Sequence, residues 1–235
     1  FNVSVRVHTW AASPTKGTLT VVGAWDGGTA TQSVLIATGN TSTTIKLPTA
    51  NAVRLWWPSG HGAQPLYNLS VTFTPALAGA LDRAALAEAE AVTTHRRVGF
   101  RFFALVTGND TDPAYVAASK GKDGTASLGM LWRINGAAIF VKGANMIPMD
   151  ELEGRMSASA HRQLVQSAAD GGMNTLRVWG GGIFLPRVWY ETCDELGILV
   201  YHDMQYSHGH GSPKNDATQD AEIRHQIRRL ASHPC

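Results

Sequence analysis

Cysteine is nearly missing from this chain, with only Cys193 and Cys235 among 235 residues. Two thiols are too few for a disulfide framework, and Cys235 has no partner suggested by spacing, so cysteine usage leaves the redox compartment open. Charge is sparse as well. Charged residues make up 16% of the chain and the formal net charge is +2, which excludes the basic field that gathers nucleic acid or anionic membrane. Neutral ligands fit this surface better. No apolar run is long enough to cross a bilayer. Phe1-Asn2-Val3 opens inside a strand pattern with neither an initiator methionine nor a charged and apolar signal segment, so the N-terminus reads as cut rather than natural.

What is present is the material of a globular core. Hydrophobic residues are 44% of the sequence, and the length suits one large domain or two ordinary ones. Sequons at Asn2-Val-Ser4, Asn40-Thr-Ser42, Asn68-Leu-Ser70 and Asn109-Asp-Thr111 lean toward a secreted or lysosomal protein.

Residues 1–106 carry period-two alternation, as in Val3, Val5 and Val7 against Ser4, Arg6 and His8, and again in Leu69, Val71 and Phe73 against Ser70 and Thr72. Similar runs over 18–25, 33–37, 43–47, 53–57 and 98–105 bring the expectation to about seven short strands, the pattern of an immunoglobulin-like β-sandwich. Residues 76–91, rich in Ala, Leu and Glu, favour an inserted helix. Leu55-Trp-Trp-Pro-Ser-Gly-His-Gly-Ala-Gln-Pro-Leu-Tyr67 stands apart. Adjacent tryptophans on a strand point to opposite faces, so one enters the core while the other meets the loop or a neighbouring domain.

Residues 107–129 lack a sustained period and are rich in Gly, Asp, Thr, Ser and Lys, the composition of an exposed linker. Over 130–235 the grammar changes. Asn135-Gly136 between two apolar runs is a strong hairpin signal, and the second arm leads into Lys142-Gly-Ala-Asn-Met-Ile-Pro148. Ser157 caps a helix with Ala160, Leu164 and Ala168 on its apolar side, ended by Gly171-Gly172. A strand over 175–179 follows. Pro186 then opens a helix whose buried stripe is Val188, Trp189, Cys193 and Leu196, and whose Glu191, Asp194 and Glu195 form a solvated face. Gly197 closes it before a strand over 198–202. Asp216 caps a last helix with Ile223, Ile227 and Leu230 facing inward. Three successive strand-helix units imply a parallel sheet, either doubly wound or the opening of a (β/α)8 TIM barrel.

In both architectures ligands bind at the C-terminal ends of the strands, where Asn145, Trp179 and Asp203 fall. Arg177 is an unusual residue for a buried strand, because its charge must be paired or kept wet. The glycines at 180–182 lack the spacing of a dinucleotide cradle and are expected to let backbone approach a ligand. His202, His208 and His210 with Asp203 could be drawn as a metal site, but histidines so spaced on a loop are weak evidence for one. Asp150 and Glu151 are adjacent and cannot stand at catalytic separation, so no chemistry is assigned to them.

Phe140-Val-Lys-Gly-Ala-Asn-Met-Ile-Pro148, Asn174-Thr-Leu-Arg-Val-Trp-Gly-Gly-Gly-Ile-Phe184 and Cys193-Asp-Glu-Leu-Gly-Ile-Leu-Val-Tyr-His-Asp203 resemble the first three barrel strands of the β-mannosidases of glycoside hydrolase family 2. The segment 55–67 and Arg97-Val-Gly-Phe-Arg101 resemble that family's immunoglobulin-like domain. The resemblance implies a sandwich followed by the first part of a TIM barrel, and a retaining exo-glycosidase that removes terminal β-linked mannose without cofactor or metal. Sister branches cleave β-linked glucosamine or another hexose, and a non-catalytic carbohydrate-binding module is the alternative outside the enzymes. In such chemistry one carboxylic acid protonates the leaving oxygen and a second carboxylate attacks the anomeric carbon, about 5 Å away. The resemblance places both glutamates after Cys235, the acid/base soon after a His-Pro pair like His233-Pro234. It also implies supporting roles: Arg177 beside the nucleophile, Trp179 as aromatic wall, Asp203 and Asn145 as polar groups at the mouth. Tyr201-His-Asp-Met-Gln205 departs from the family's usual Trp-Gln-Asp-Phe-Met, and Met146 stands where tryptophan is common.

Overall fold

A computed structural model of the chain describes residues 1–76, 91–107, 130–206 and 216–235. The body of the helix expected over 76–91, nearly all of the linker expected over 107–129, the sequon at Asn109, and His208 and His210 lie outside the described residues. The chain divides into two compact units, Phe1–Arg54 with Tyr67–Val98, and Leu55–Leu66 with Gly99–Cys235.

The first unit is antiparallel β. Strands β1 (Ser4–Ala11), β2 (Thr15–Gly23), β3 (Thr29–Ile36), β4 (Gly39–Lys46), β5 (Tyr67–Pro75) and β6 (Val92–Val98) form a two-stranded sheet β1-β4 and a four-stranded sheet β3-β2-β5-β6. Alternation places Leu19 and Val21 of β2, Leu69 and Val71 of β5 and Ile45 of β4 in one core, with Val5 and Val7 of β1 packed against it. The opposite faces carry Ser, Thr, Arg and His, together with the exposed Trp10, Val22 and Leu35. The period-two reading therefore holds for β1 and β2 and for the Leu69–Val71 stretch of β5, while β3 and β6 carry runs of consecutive exposed residues.

Two expected strands come out differently. Over 53–57 no strand forms, and Leu55 makes only an isolated bridge to Phe100. Pro58 cannot donate to a ladder, and Trp56 turns instead into the core of the second unit. The run expected over 98–105 is split: β6 ends at Val98, and β7 (Phe103–Thr107) begins a separate sheet with β8 (Met130–Ile134) and β9 (Ala137–Ile139) in the order β7-β8-β9. At the break, Gly99 lies so close to Pro234 that a Cβ there would come within 2.8 Å of its ring.

The β8-β9 hairpin turns at Asn135 (φ 51°) and Gly136 (φ 89°), both in the left-handed region that a two-residue primed turn requires. The Asn135 amide also ties the turn inward. Its Oδ1 accepts from Phe102 N at 2.8 Å and its Nδ2 donates to Trp56 O at 2.9 Å.

After the hairpin, β10 (Gly143–Met146), β11 (Thr175–Val178) and β12 (Leu199–His202) pair in parallel and in sequence order. Between them run α1 (Ala158–Asp170) and α2 (Arg187–Leu196), and α3 (Ala217–Leu230) follows β12. Ser157 Oγ accepts from Ala160 N at 3.1 Å and Asp216 Oδ1 from Thr218 N at 2.8 Å, so both expected N-caps form. His161, Val165 and Ala168 of α1 and Trp189, Tyr190 and Cys193 of α2 are the buried faces. Of the α3 residues expected to face inward, Leu230 packs on the core while Ile227 is 48% exposed.

Gly197 closes α2 at φ 74°, and a Cβ there would stand 2.6 Å from Ser59 N. Gly197→Ala is therefore expected to destabilise the second unit by about 1–3 kcal/mol through backbone strain and collision. The check is urea unfolding followed by tryptophan fluorescence. An unmoved midpoint would mean that the 58–64 loop yields freely.

Candidate functional site

The parallel pairing β10-β11-β12 sets Asn145, Arg177 and Tyr201 side by side, since Asn145 is in register with Arg177 and Arg177 with Tyr201. Residues at equal height on neighbouring strands share a face, so a long cation on the middle strand reaches both neighbours. Arg177 Nη1 donates to Asn145 Oδ1 at 3.0 Å. Its Nε and Nη2 donate to the two carboxylate oxygens of Asp203 at 3.3 and 2.5 Å. The guanidinium carbon stands 5.6 Å from the centre of the Tyr201 ring.

Asp203 is held from a second side. Gly180 N donates to its Oδ2 at 3.2 Å, and its own main-chain N–H donates to Val178 O at 2.9 Å, which carries the β11-β12 ladder one step past β12. A two-point arginine-carboxylate pair fixes both planes, and the side chains keep 38% and 22% of their surface open to solvent. The result is a rigid polar floor at the C-terminal ends of parallel strands.

Of the four residues singled out in the sequence, Asn145, Arg177 and Asp203 thus form one hydrogen-bonded set. Trp179 is placed otherwise. Its indole folds over Gly181, where a Cβ would meet the six-membered ring at 2.5 Å. The glycine at 181 is accordingly needed to seat Trp179. Sequence reading named Tyr201 only as a departure from the family's usual tryptophan and gave it no site role; the structure adds its register opposite Arg177. Asp150, given no chemistry, bonds Leu152 N at 2.9 Å and pairs with Arg155 at 3.1 Å, a local contact.

Beside the set, an apolar groove of about 350 Å³ is lined by Phe103, Leu105, Met130, Trp132 and Tyr201 among others. Tyr201 belongs to both features. Trp132 meets its ring edge-on at a centroid separation of 6.1 Å.

Behind Asp203, His202 is fixed by three contacts. Its Nδ1 lies 2.7 Å from Asp203 O, its Nε2 lies 2.9 Å from the Tyr190 hydroxyl, and Phe184 stacks on the ring at 5.0 Å. A carbonyl only accepts, so Nδ1 carries the proton and Nε2 accepts from Tyr190, whose oxygen also accepts from Leu185 N. This is a neutral imidazole. Burial lowers its pKa, with Arg229 adding to the effect and the Asp203 carbonyl and carboxylate opposing it. Burial also pushes the Tyr190 hydroxyl up to about 12, so it stays a donor.

His161, lowered by burial as well, acts in the same sense. Both rings bind a proton less readily folded than unfolded, so stability is full above the ordinary histidine value of about 6.5 and is lost as pH falls below it. His202→Gln should flatten part of that acid loss, as measured by urea unfolding at several pH values from about 8 to 5. A slope unchanged by the substitution would count against it.

One acid was assigned wrongly from the sequence. Asp194, expected on the solvated face of α2, is 3% exposed. Its Oδ2 lies 2.6 Å from His233 Nδ1 and its Oδ1 accepts from Cys235 N at 2.9 Å. The α2 apolar stripe is wider than its hydrophobic residues suggested, and Asp194 survives inside it because both carboxylate oxygens are satisfied. Asp194, His233 and Cys235 bring an oxygen, a nitrogen and a sulfur within 4.8 Å of one another. Hydrogen bonds already occupy the carboxylate, and burial pushes the Cys235 thiol well up, keeping it protonated. This trio reads as an anchor.

No protein-family profile matches the chain. Among curated proteins, the β-mannosidase of Bos taurus is 37% identical over 192 residues, which is 81% of this chain and 19% of that protein. β-Mannosidase A of Neosartorya fischeri is 34% identical over 208 residues, 86% of this chain and 20% of that protein. The chain therefore spans about a fifth of the length of the curated relatives it matches. Among solved structures, a β-D-mannosidase from Dictyoglomus thermophilum superposes over 99% of this chain and 26% of its own, with TM-score 0.72 and 26% identity. An exo-chitosanase from Amycolatopsis orientalis shares the fold at TM-score 0.66 and 22% identity, over 99% of this chain and 25% of its own. Sequence over four-fifths of its length and fold over nearly all of it make this chain a relative of the β-mannosidases of glycoside hydrolase family 2.

Proposed function

We propose that the chain is part of a retaining exo-glycosidase that hydrolyses terminal, non-reducing β-linked mannose. The observation that carries this reading is the Asn145-Arg177-Asp203 set, a fixed cation paired with a carboxylate at the C-terminal ends of parallel strands. In this reading the immunoglobulin-like sandwich expected over 1–106 centres on the unit Phe1–Arg54 with Tyr67–Val98, and 130–235 is the opening of a (β/α)8 barrel, joined by 107–129. Two antiparallel sheets sharing a core and three parallel strands alternating with helices support it.

The chemistry follows from geometry and charge. Departure of the leaving sugar builds positive charge on the ring and needs an ionised nucleophile on one face with a proton donor on the other. Arg177, already immobilised by Asp203 and Asn145, holds a fixed positive charge that keeps a neighbouring nucleophilic carboxylate ionised at no reorganisation cost. Asp203 and Asn145 offer acceptors to sugar hydroxyls, and Trp179 and Tyr201 offer flat apolar surfaces to a pyranose face. The two reacting glutamates belong to sequence after Cys235, and the 235-residue chain by itself is inactive. The substrate is a β-mannoside oligosaccharide, and no cofactor is required. Export or lysosomal residence accords with the exposed positions of Asn2, Asn40 and Asn68.

The test is expression of the complete reading frame and hydrolysis rates on a panel of aryl β-glycosides. Mannoside turnover far above glucosaminide, galactoside and glucuronide turnover is expected. Preference for the glucosaminide would move the chain to a sister branch, and no turnover of any glycoside would favour a non-catalytic sugar-binding module. Mannoside turnover by residues 1–235 alone would refute the placement of the glutamates.

A further inference from the structure

The most deeply buried carboxylate among the described residues, that of Asp194, grips residues His233 to Cys235. Three consecutive residues are locked there. His233 Nδ1 and Cys235 N both bond the Asp194 carboxylate, at 2.6 and 2.9 Å. Between them, Pro234 O accepts from Arg101 Nε, and the Pro234 ring fills the space left by the missing side chain of Gly99. Cys235 O accepts from Val200 N at 2.9 Å, so the chain comes alongside β12 as a further strand does at its first residue. The grip is itself braced, since Trp56 Nε1 donates to Asp194 O at 2.8 Å.

A strand entering a sheet from a fixed point has its register decided at that point. A slip of one residue exchanges its two faces and turns every inward side chain outward. Two carboxylate oxygens bound to groups two residues apart prevent that slip. An apolar residue at 194 would leave the partly buried His233 Nδ1 and Cys235 N without this acceptor.

We propose that Asp194 is a positioning residue for the reaction: it sets the register of the strand that follows Cys235 and, through it, aims the proton-donating glutamate. This rests on the reading above, in which that glutamate lies on the continuation of the chain. Asp194 touches no substrate, and its effect reaches the leaving-group oxygen only through the aim of the acid.

The test compares two β-mannosides in the complete protein. A 2,4-dinitrophenyl mannoside releases its leaving group without a proton, whereas a mannobioside needs one, and kcat/KM on each reports the first chemical step. Asp194→Ala should lower kcat/KM on the disaccharide by about 100-fold and on the dinitrophenyl glycoside by about 5-fold or less. Asp194→Asn keeps the volume and one acceptor for Cys235 N, and should hold the selective loss on the disaccharide to about 10-fold. Equal losses on both substrates, or no loss on either, would overturn the proposal. If Asp194→Ala does not fold, the two losses in Asp194→Asn decide in the same way: about 10-fold selective loss on the disaccharide supports it and equal losses refute it. A wild-type protein inactive on both mannosides would instead sink the mannosidase reading and is told apart by that control.

Discussion

On the proposed glycosidase reading, Arg177→Met in the complete protein is expected to cut kcat/KM on an aryl β-mannoside by about 100-fold or more, with the fold retained. Methionine matches the aliphatic stem but removes the charge, so Asp203 loses both of its guanidinium bonds and Asn145 Oδ1 loses its donor. Arg177→Lys should recover little, because an ammonium cannot bond both Asp203 oxygens in one plane while also reaching Asn145. The fold survives because the pair is partly exposed, with Gly180 N still bonding Asp203. Kinetics on the purified variants beside their circular dichroism settle the matter. A Lys variant at near wild-type rate would reduce Arg177 to a diffuse positive charge, and a Met variant at that rate would remove it from the reaction.

Trp56→Ala should cost about 3–5 kcal/mol of stability. Trp56 is fully buried, packs with Ile134, Ile139 and Leu199, and bonds Asp194 O through its indole N–H. Alanine creates a large cavity and strands that carbonyl. Trp56→Phe separates the two contributions, since it keeps most of the volume and loses the hydrogen bond, for about 1–2 kcal/mol. Denaturant unfolding measures both. A Phe variant as damaged as the Ala variant would show that the bond to Asp194 matters more than the packing.

These two residues also mark what could be read in the sequence and what could not. Arg177 was conspicuous because a cation in a short apolar strand requires a partner, and the rule that parallel strands present ligands at their C-terminal ends pointed to Asp203 and Asn145. Trp56 was half legible: two adjacent tryptophans had to diverge, and Trp56 enters a core while Trp57 packs against Gly62 in its own loop. Which core it enters depends on contacts 138 residues away in sequence, and no local pattern encodes that. Asp194 was misread for a related reason. Helical periodicity assigns an acid to water unless a distant partner is known, and its partners His233 and Cys235 lie about forty residues on. The break between β6 and β7 was hidden because 98–105 is apolar but for Arg101, while the Pro234 ring that packs on Gly99 at the break comes from 135 residues further along the chain.

The Asn135-Gly136 turn bears on how the protein ages. An asparagine followed by glycine loses ammonia readily, because the unhindered glycine nitrogen can attack the side-chain carbonyl and close a succinimide ring. Here that carbonyl oxygen is held by Phe102 N and the amide nitrogen by Trp56 O, which pins the side chain in place. Deamidation at Asn135 should therefore be slow in the folded protein and fast once the second unit opens, making the aspartate content at this position a chemical clock for time spent unfolded.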